Sequence, residues 1–322
     1  MTAGGGSPLV TAPLGQTGHD ITRLGLGAAH LNAGLGGDLS EDAAIATVRQ
    51  ALDLGITYID TAPLYSDSER RIGLALRGHP RSDAVFIATK VGLQPDGVAD
   101  YSFDGTMRSI ETSLERLSQP MLHLAQIHEI EEGYWEQVWS PAGAVAALQR
   151  AKDQHLIGHI GVTGSDPKAV ARAIETDVFE TVLIWDSFHL LNQSIAKATL
   201  HLAAERKMGL VVGTPFAGSV LATGTKAGPR PNAGPQFMYE DARDEVISRV
   251  RGIEAVCDRH QVSLRAAALQ FILRDDRVST IIPGAVRPSQ VVELLEAVTT
   301  EIPVACWDEL TPLIGVRAPE VP

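Results

Sequence analysis

Thr57-Tyr58-Ile59-Asp60-Thr61-Ala62-Pro63-Leu64-Tyr65 begins as a strand and ends as a turn. Its first four residues form a short, largely β-branched and apolar run that stops on an acid, Asp60, and Tyr65 sits in the turn that follows. Runs of the same kind recur at residues 21–27, 85–90, 122–128, 158–163, 181–185, 209–214 and 280–283, with longer amphipathic segments between them. That alternation implies parallel strands joined by helices. About eight strand–helix repeats meet the closing condition of a (β/α)8 TIM barrel rather than an open sheet. The expectation is therefore an α/β chain with a flexible tail over residues 1–12 and a single (β/α)8 barrel domain over 13–322.

The connecting segments carry helix signals. Ser40-Glu41-Asp42 opens one whose apolar face includes Ala44, Ile45, Val48 and Leu52, and Gly55 stops it where a left-handed residue is usual. Asp166-Pro167 places an N-cap before a first-turn proline, and Pro288-Ser289 opens the last barrel helix, with Val291, Val292, Leu294 and Leu295 facing inward. Residues 218–235 break the rhythm. They are rich in Gly, Pro, Thr and Ala and contain Gly228-Pro229-Arg230-Pro231-Asn232-Ala233-Gly234-Pro235, which forms neither a regular helix nor a strand. This long loop after the seventh strand reads as a strap over bound cofactor or as a surface insertion.

Composition narrows the function classes. The net charge of −12 gives no general attraction to nucleic acid or to an anionic membrane. Cys257 and Cys306 are too few and too far apart in sequence for a zinc site or a disulfide framework, and no run reaches the length of a membrane span. The reading is a cytoplasmic protein with a small-molecule partner, no nucleic acid and no membrane, its oligomeric state open.

The polar residues at the strand ends carry the chemistry. Asp60 ends the second strand, Tyr65 follows it, Lys90 ends the third and His128 ends the fourth, so all four project from the C-terminal rim, where barrels of this type hold their active sites. A tyrosine hydroxyl titrates near ~10 and a neighbouring ammonium lowers that value. Lys90 supplies the charge, and Asp60 holds the ammonium and offsets its desolvation. A neutral His128 orients a carbonyl oxygen beside the Tyr65 hydroxyl. The set suits proton donation to the oxygen of a carbonyl whose carbon accepts hydride. It contains no obvious nucleophilic Ser or Cys and no metal ligand set.

These residues also carry a family resemblance. Ile59-Asp60-Thr61-Ala62-Pro63-Leu64-Tyr65-Ser66-Asp67-Ser68-Glu69 closely resembles the aldo-keto reductase signature, Ala88-Thr89-Lys90-Val91-Gly92 its lysine motif and Gln126-Ile127-His128 its histidine motif. The resemblance runs from about Pro13 to Ile314 and implies that Asp60, Tyr65, Lys90 and His128 form the family's catalytic tetrad. Ser102-Phe103-Asp104-Gly105 with Arg108-Ser109-Ile110-Glu111, Ile253-Glu254-Ala255-Val256-Cys257 and Leu264-Arg265-Ala266-Ala267-Ala268-Leu269-Gln270-Phe271 resemble the bacterial branch that contains D-threo-aldose 1-dehydrogenase, L-fucose dehydrogenase and pyridoxal 4-dehydrogenase.

A nicotinamide dinucleotide is the cofactor the resemblance implies. Its pyrophosphate and adenosine end would meet Thr214, Pro215, Phe216, Ala217 and Gly218 after the seventh strand and Pro283, Gly284, Ala285 and Arg287 after the eighth. Backbone N–H groups at a helix start and a nearby arginine suit phosphate. Gln290 and Glu293 match positions that contact adenosine in relatives, whereas Leu294 stands where many carry an asparagine. Thr163-Gly164 and Trp185 stand where relatives fix the carboxamide with a Ser-Asn pair and a Gln, and Asp186 and Ser187 are nearby substitutes. Arg287, with no acid in residues 283–289, favours NADP(H) over NAD(H).

The remaining marked residues have plainer readings. His155, His159, His201 and His260 read as surface or capping residues. The loop after His128, with Glu129, Glu131, Glu132, Trp135 and Trp139, either lines a substrate mouth or covers the rim. The expected reaction is reversible hydride transfer between NAD(P)(H) and a polar carbonyl compound or sugar. Two rivals share the barrel: a regulatory subunit that binds cofactor with weak turnover, and a Schiff-base aldolase with Lys90 as nucleophile.

Overall fold

A computed structural model describes residues 9–32, 39–228, 234–238 and 240–314. Eight parallel strands run around the core: β1 Leu26–Gly27, β2 Tyr58–Asp60, β3 Phe86–Val91, β4 Leu122–Ile127, β5 Ile157–Gly164, β6 Thr181–Ile184, β7 Gly209–Gly213 and β8 Val278–Ile282. Neighbours in the chain are neighbours in the sheet, and parallel bridges Leu24↔Ile281 and Gly27↔Gly284 join the first strand to the last, closing the barrel. The helices α1 Glu41–Asp53, α2 Ser68–Leu76, α3 Phe103–Leu117, α4 Ala144–Asp153, α5 Pro167–Ile174, α6 Ala196–Glu205 and α7 Leu264–Leu273 connect successive strands, and α8 Pro288–Thr299 follows the last. Asp244–Arg259 and Val304–Leu310 are additional helices. No described helix is long and apolar enough to cross a membrane.

The helix signals act as their chemistry requires. Ser40 accepts a hydrogen bond from Ala43 N at the start of α1, Asp166 does the same for Lys168 N at α5, and Gly55 closes α1 at φ +90°. On α8, Val291 and Leu294 are buried, while Val292 and Leu295 are half-buried between the helix faces.

Period-two alternation decides what fills the barrel. Tyr58, Phe86, Ala88, Leu124, Leu183, Val211 and Ile282 form one inner cluster, and Leu14 and Ile21 plug it from below. Those two plug residues come from a hairpin, Thr11–Pro13 against Asp20–Thr22. This corrects two expectations. Thr11 and Ala12, read as tail, are paired backbone, and residues 21–27 are not one strand, because Ile21 belongs to the hairpin while the barrel strand begins at Leu26. A plug that inserts side chains into the barrel mouth has the same apolar character as a strand, so composition did not separate them. Its turn needs glycine at Gly15, where φ is +56° and an added Cβ would lie 2.2 Å from Gly209 N.

The loop after β7 is more regular at its start than expected. Val220–Thr223 form a helical turn with Val220 and Leu221 fully buried, and Arg265 Nε donates to the Ala222 carbonyl at 2.9 Å. Thr225 N and Oγ1 donate to the Glu254 carboxylate at 3.0 and 2.7 Å. Apolar side chains supply this order where Gly and Pro do not. Residues 229–233, with Arg230, lie outside the described residues.

Candidate active site

The same alternation that packs Tyr58, Ala88 and Leu124 inside the barrel aims Asp60, Lys90 and Gln126 inward one step higher on the same strands. All three are buried. Lys90 Nζ donates to Asp60 Oδ1 and, at 2.8 Å, to the Thr61 carbonyl, while Gln126 Nε2 donates to Asp60 Oδ2 at 3.1 Å. The lysine nitrogen lies 4.9 Å from the centre of the Tyr65 ring. Tyr65 ends the helical turn Pro63–Tyr65 and meets His128 edge-on, with ring centres 5.8 Å apart. The four expected catalytic residues are thus one contiguous group.

Their electrostatics correct one expectation. Burial pushes the Tyr65 hydroxyl up, and Asp60 adds to this, so its value rests above the ordinary tyrosine range although Lys90 pulls it down. The lysine was expected to win, but desolvation of a phenolate costs more here than one already-paired ammonium returns. Tyr65 therefore rests as a phenol with a proton to give. Burial works against the Lys90 ammonium, yet Asp60 and Tyr65 hold it above the ordinary lysine range. Burial and the nearby Lys90 charge keep His128 well below the ordinary histidine value, so it is neutral. Its Nδ1 is buried without a hydrogen-bond partner among the described residues.

The group forms the floor of a cavity of about 550 Å³. Thr163, Trp185, Thr214, Pro215, Phe216, Gly218 and Gly284 of the expected cofactor set line it. Gly164 and Ala217 pack beside it: a Cβ on Gly164 would lie 2.8 Å from Val170 Cγ2, and Ala217 is fully buried. Pro283 and Ala285 are buried next to Gly284, and Arg287 is exposed at the start of α8. Gln290 Oε1 accepts from Val286 N at 2.8 Å, and Glu293 pairs with Arg265 above a second cavity of about 480 Å³, so neither lines the first.

The suggested carboxamide substitutes also sit elsewhere. Asp186 faces His189 at 3.3 Å, and Ser187 donates to the Trp185 carbonyl at 2.9 Å. The Trp185 indole N–H donates to Glu129 Oε2 at 2.6 Å, while Ser165 N and Oγ donate to Glu129 Oε1 at 3.1 and 2.8 Å. Glu129, Glu131 and Ser165 line the cavity; Trp135 and Trp139 do not, and Trp135 packs in the core under the Arg172 guanidinium. Ser165 was missed as a site residue, Gln126 entered only as part of the histidine motif, and Glu129 only as a charge on the loop read as substrate mouth or rim cover. Gln126 was legible, since it lies two residues before His128 on the inward face of a strand. The pairing of Glu129 with Ser165 and Trp185 crosses three strand ends and leaves no local signal.

The site fits a nicotinamide dinucleotide. Tyr65 opens onto a broad cavity walled by Trp185 and Phe216, with the backbone of Gly213, Gly218 and Gly284 lining it.

Comparison with known proteins agrees with the geometry. A model of the aldo/keto reductase family matches residues 23–314. Pyridoxal 4-dehydrogenase of Microbacterium luteolum is 32% identical over 92% of this chain and 95% of its own. D-threo-aldose 1-dehydrogenase of a Pseudomonas species is 31% identical over 90% and 93%. The holo form of an aldo-keto reductase from Bacillus halodurans superposes with a TM-score of 0.79 at 22% identity, covering 97% of this chain and 98% of that one. With a closed (β/α)8 barrel and a family match along most of its length, the chain belongs to the aldo/keto reductase family: an oxidoreductase acting on C=O and CH–OH groups with a nicotinamide cofactor.

Proposed function

We propose that the protein transfers hydride reversibly between NAD(P)(H) and a carbonyl or alcohol carbon of a polar, sugar-like substrate, with Tyr65 as general acid and base. The observation that carries this is the closed chain of contacts from Asp60 through Lys90 to Tyr65, beside a neutral His128 in one cavity. The bound nicotinamide supplies or accepts the hydride. His128 donates a hydrogen bond to the carbonyl oxygen and orients it. As the carbonyl carbon gains hydride, Tyr65 gives its proton to the oxygen, and Lys90 stabilises the phenolate left behind. In the reverse direction the phenolate removes the alcohol proton. Thr163, Gly164, Trp185, the 214–218 segment and Pro283, Gly284, Ala285, Arg287, Gln290 and Glu293 form the proposed cofactor path. A steady-state assay at the nicotinamide absorbance band, run in both directions with both cofactors on aldehydes, ketones and aldoses, tests the reading. Absence of nicotinamide-dependent turnover would favour a regulatory subunit, and borohydride trapping of substrate on Lys90 an aldolase.

Arg287 sits exposed at the N-terminal end of α8 with no acidic partner among the described residues, its Nε donating to Ser289 Oγ at 3.2 Å. That supports a preference for the 2′-phosphate of NADP(H). Arg287→Ala is expected to lower the NADPH-to-NADH efficiency ratio by roughly tenfold, the worth of one charge-assisted contact; an unchanged ratio removes the assignment.

A further inference from the structure

The residue after the catalytic histidine carries more order than the hydride step requires. Glu129 sits at φ +57°, a backbone region that non-glycine residues rarely occupy. It is held there from both sides: its N–H donates to Thr163 Oγ1 at 3.0 Å, and the Tyr101 hydroxyl donates to the His128 carbonyl and, at 3.3 Å, to that of Glu129. The side chain is fixed as well. Oε1 accepts from Ser165 N and Oγ, and Oε2 accepts from the Trp185 indole. A carboxylate has about four lone-pair sites, so these three donors leave room on Oε2 for one more.

Charge along the cavity makes the carboxylate more than a wall. Lys90 is the only Lys or Arg among the described lining residues, and it is already paired with Asp60. His128 and His30 are both held below the ordinary histidine value by burial. Among the described lining residues no free Lys or Arg therefore balances Glu129 and the exposed Glu131 at the mouth. An anionic carbonyl compound bound beside Glu129 would meet like charge in a partly desolvated pocket, whereas a hydroxyl finds a fixed acceptor there.

We infer that Glu129 is the residue that reads the substrate: it accepts a hydrogen bond from a hydroxyl near the reacting carbonyl, so the site prefers neutral, hydroxyl-bearing carbonyl compounds and turns away carboxylates and phosphates. Ser165 and Trp185 are positioning residues that hold the carboxylate in place. This deepens, and rests on, the hydride-transfer reading above. Burial pushes the Glu129 carboxyl upward against the pull of Ser165 and Trp185.

The test compares three small aldehydes under reducing conditions: glyceraldehyde, propanal, which has the same carbon count without hydroxyls, and anionic glyoxylate. The readouts are the ratios of kcat/KM in the wild type, Glu129→Gln and Glu129→Ala, with cofactor binding and thermal unfolding as controls. Glu129→Gln keeps the shape of the side chain and guards against a folding defect. Its glyceraldehyde-to-propanal ratio is expected to fall about tenfold, the worth of a hydrogen bond to a charged group, and its glyoxylate-to-propanal ratio to rise. Trp185→Phe, which removes one anchor, should move both ratios the same way by less. Ratios unchanged in both Glu129 variants, whatever the absolute rates, would overturn the proposal while leaving hydride transfer standing. Failure of the wild type to reduce any of the three would overturn the hydride-transfer reading and this inference with it.

Discussion

At the C-terminal rim, ionisable side chains are buried and closed on one another; at the opposite end of the barrel they are half-exposed and arranged around apolar rings. Above, Lys90 and Gln126 both donate to the Asp60 carboxylate beneath Tyr65. Below, His19, His123 and His159 gather around Phe86, with His19 centred 5.5 Å from His159 and 6.3 Å from His123. Glu180 meets His159 and Lys152 there, each at 2.6 Å. Both ends perturb protonation, so a shifted value does not by itself mark a catalytic group. The difference lies in what the cavity reaches. The rim opens into about 550 Å³ lined by Tyr65, while His19 of the lower cluster sits in the turn of the hairpin that plugs the barrel. In barrels of this kind the lower face serves stability.

The largest expected effect separates the two ends by rate. Lys90→Met removes the charge that stabilises the Tyr65 phenolate, and turnover should fall by roughly the 10²–10⁴-fold of lost general acid–base catalysis. It also leaves the Asp60 carboxylate without its ion pair, which costs about 3–5 kcal/mol when one partner of a buried pair is removed. Chemical denaturation alongside turnover checks both. A variant of wild-type stability and wild-type rate would erase the contrast drawn here.

A smaller effect is expected below, and in stability alone. Burial, then His159, lowers the His19 value; burial, then His19 and His159, lowers that of His123. The folded state thus binds fewer protons than the unfolded chain between these lowered values and 6.5. Stability is therefore full above about 6.5 and is lost as pH falls toward the folded values. Glu180 extends the loss. Burial pushes its carboxyl up, but hydrogen bonds from His159, Lys152 and Ile160 N outweigh this and hold it at about 2, so its contribution disappears as pH drops from 4.5 toward that value. Unfolding measured between about pH 8 and 5, the range in which histidines titrate, should show a slope that His19→Asn with His123→Asn flattens. Turnover at neutral pH should not follow it. A rate change as large as that in Lys90→Met would mean that the lower cluster takes part in the chemistry.

Much of the upper site was legible because strand ends are punctuated by the residues themselves. Asp60, Lys90 and His128 close three successive apolar runs, and Tyr65 follows the first. The barrel followed from the same repeats. Gln126 was within reach of the period-two argument, and Glu129 stood in the loop read as substrate mouth or rim cover, whereas its meeting with Ser165 was not legible, because it depends on how far two rim loops lean toward each other. The hairpin plug escaped for a related reason. Ile21 is apolar for the interior it fills, and nothing local says that it fills it as a plug. The direction of the Tyr65 shift was misjudged because sequence names the neighbouring charge but not the burial that outweighs it.

The central claim is that Tyr65 is the proton donor and acceptor of the hydride step, so the decisive comparison is wild type against Tyr65→Phe. Turnover would be measured at the nicotinamide band with saturating cofactor, and cofactor affinity by fluorescence titration of the same preparations. Turnover is expected to fall by ~10²–10⁴-fold or more with little change in cofactor affinity, the signature of a group that acts in the transition state and not in binding. Near-normal turnover in Tyr65→Phe would contradict it.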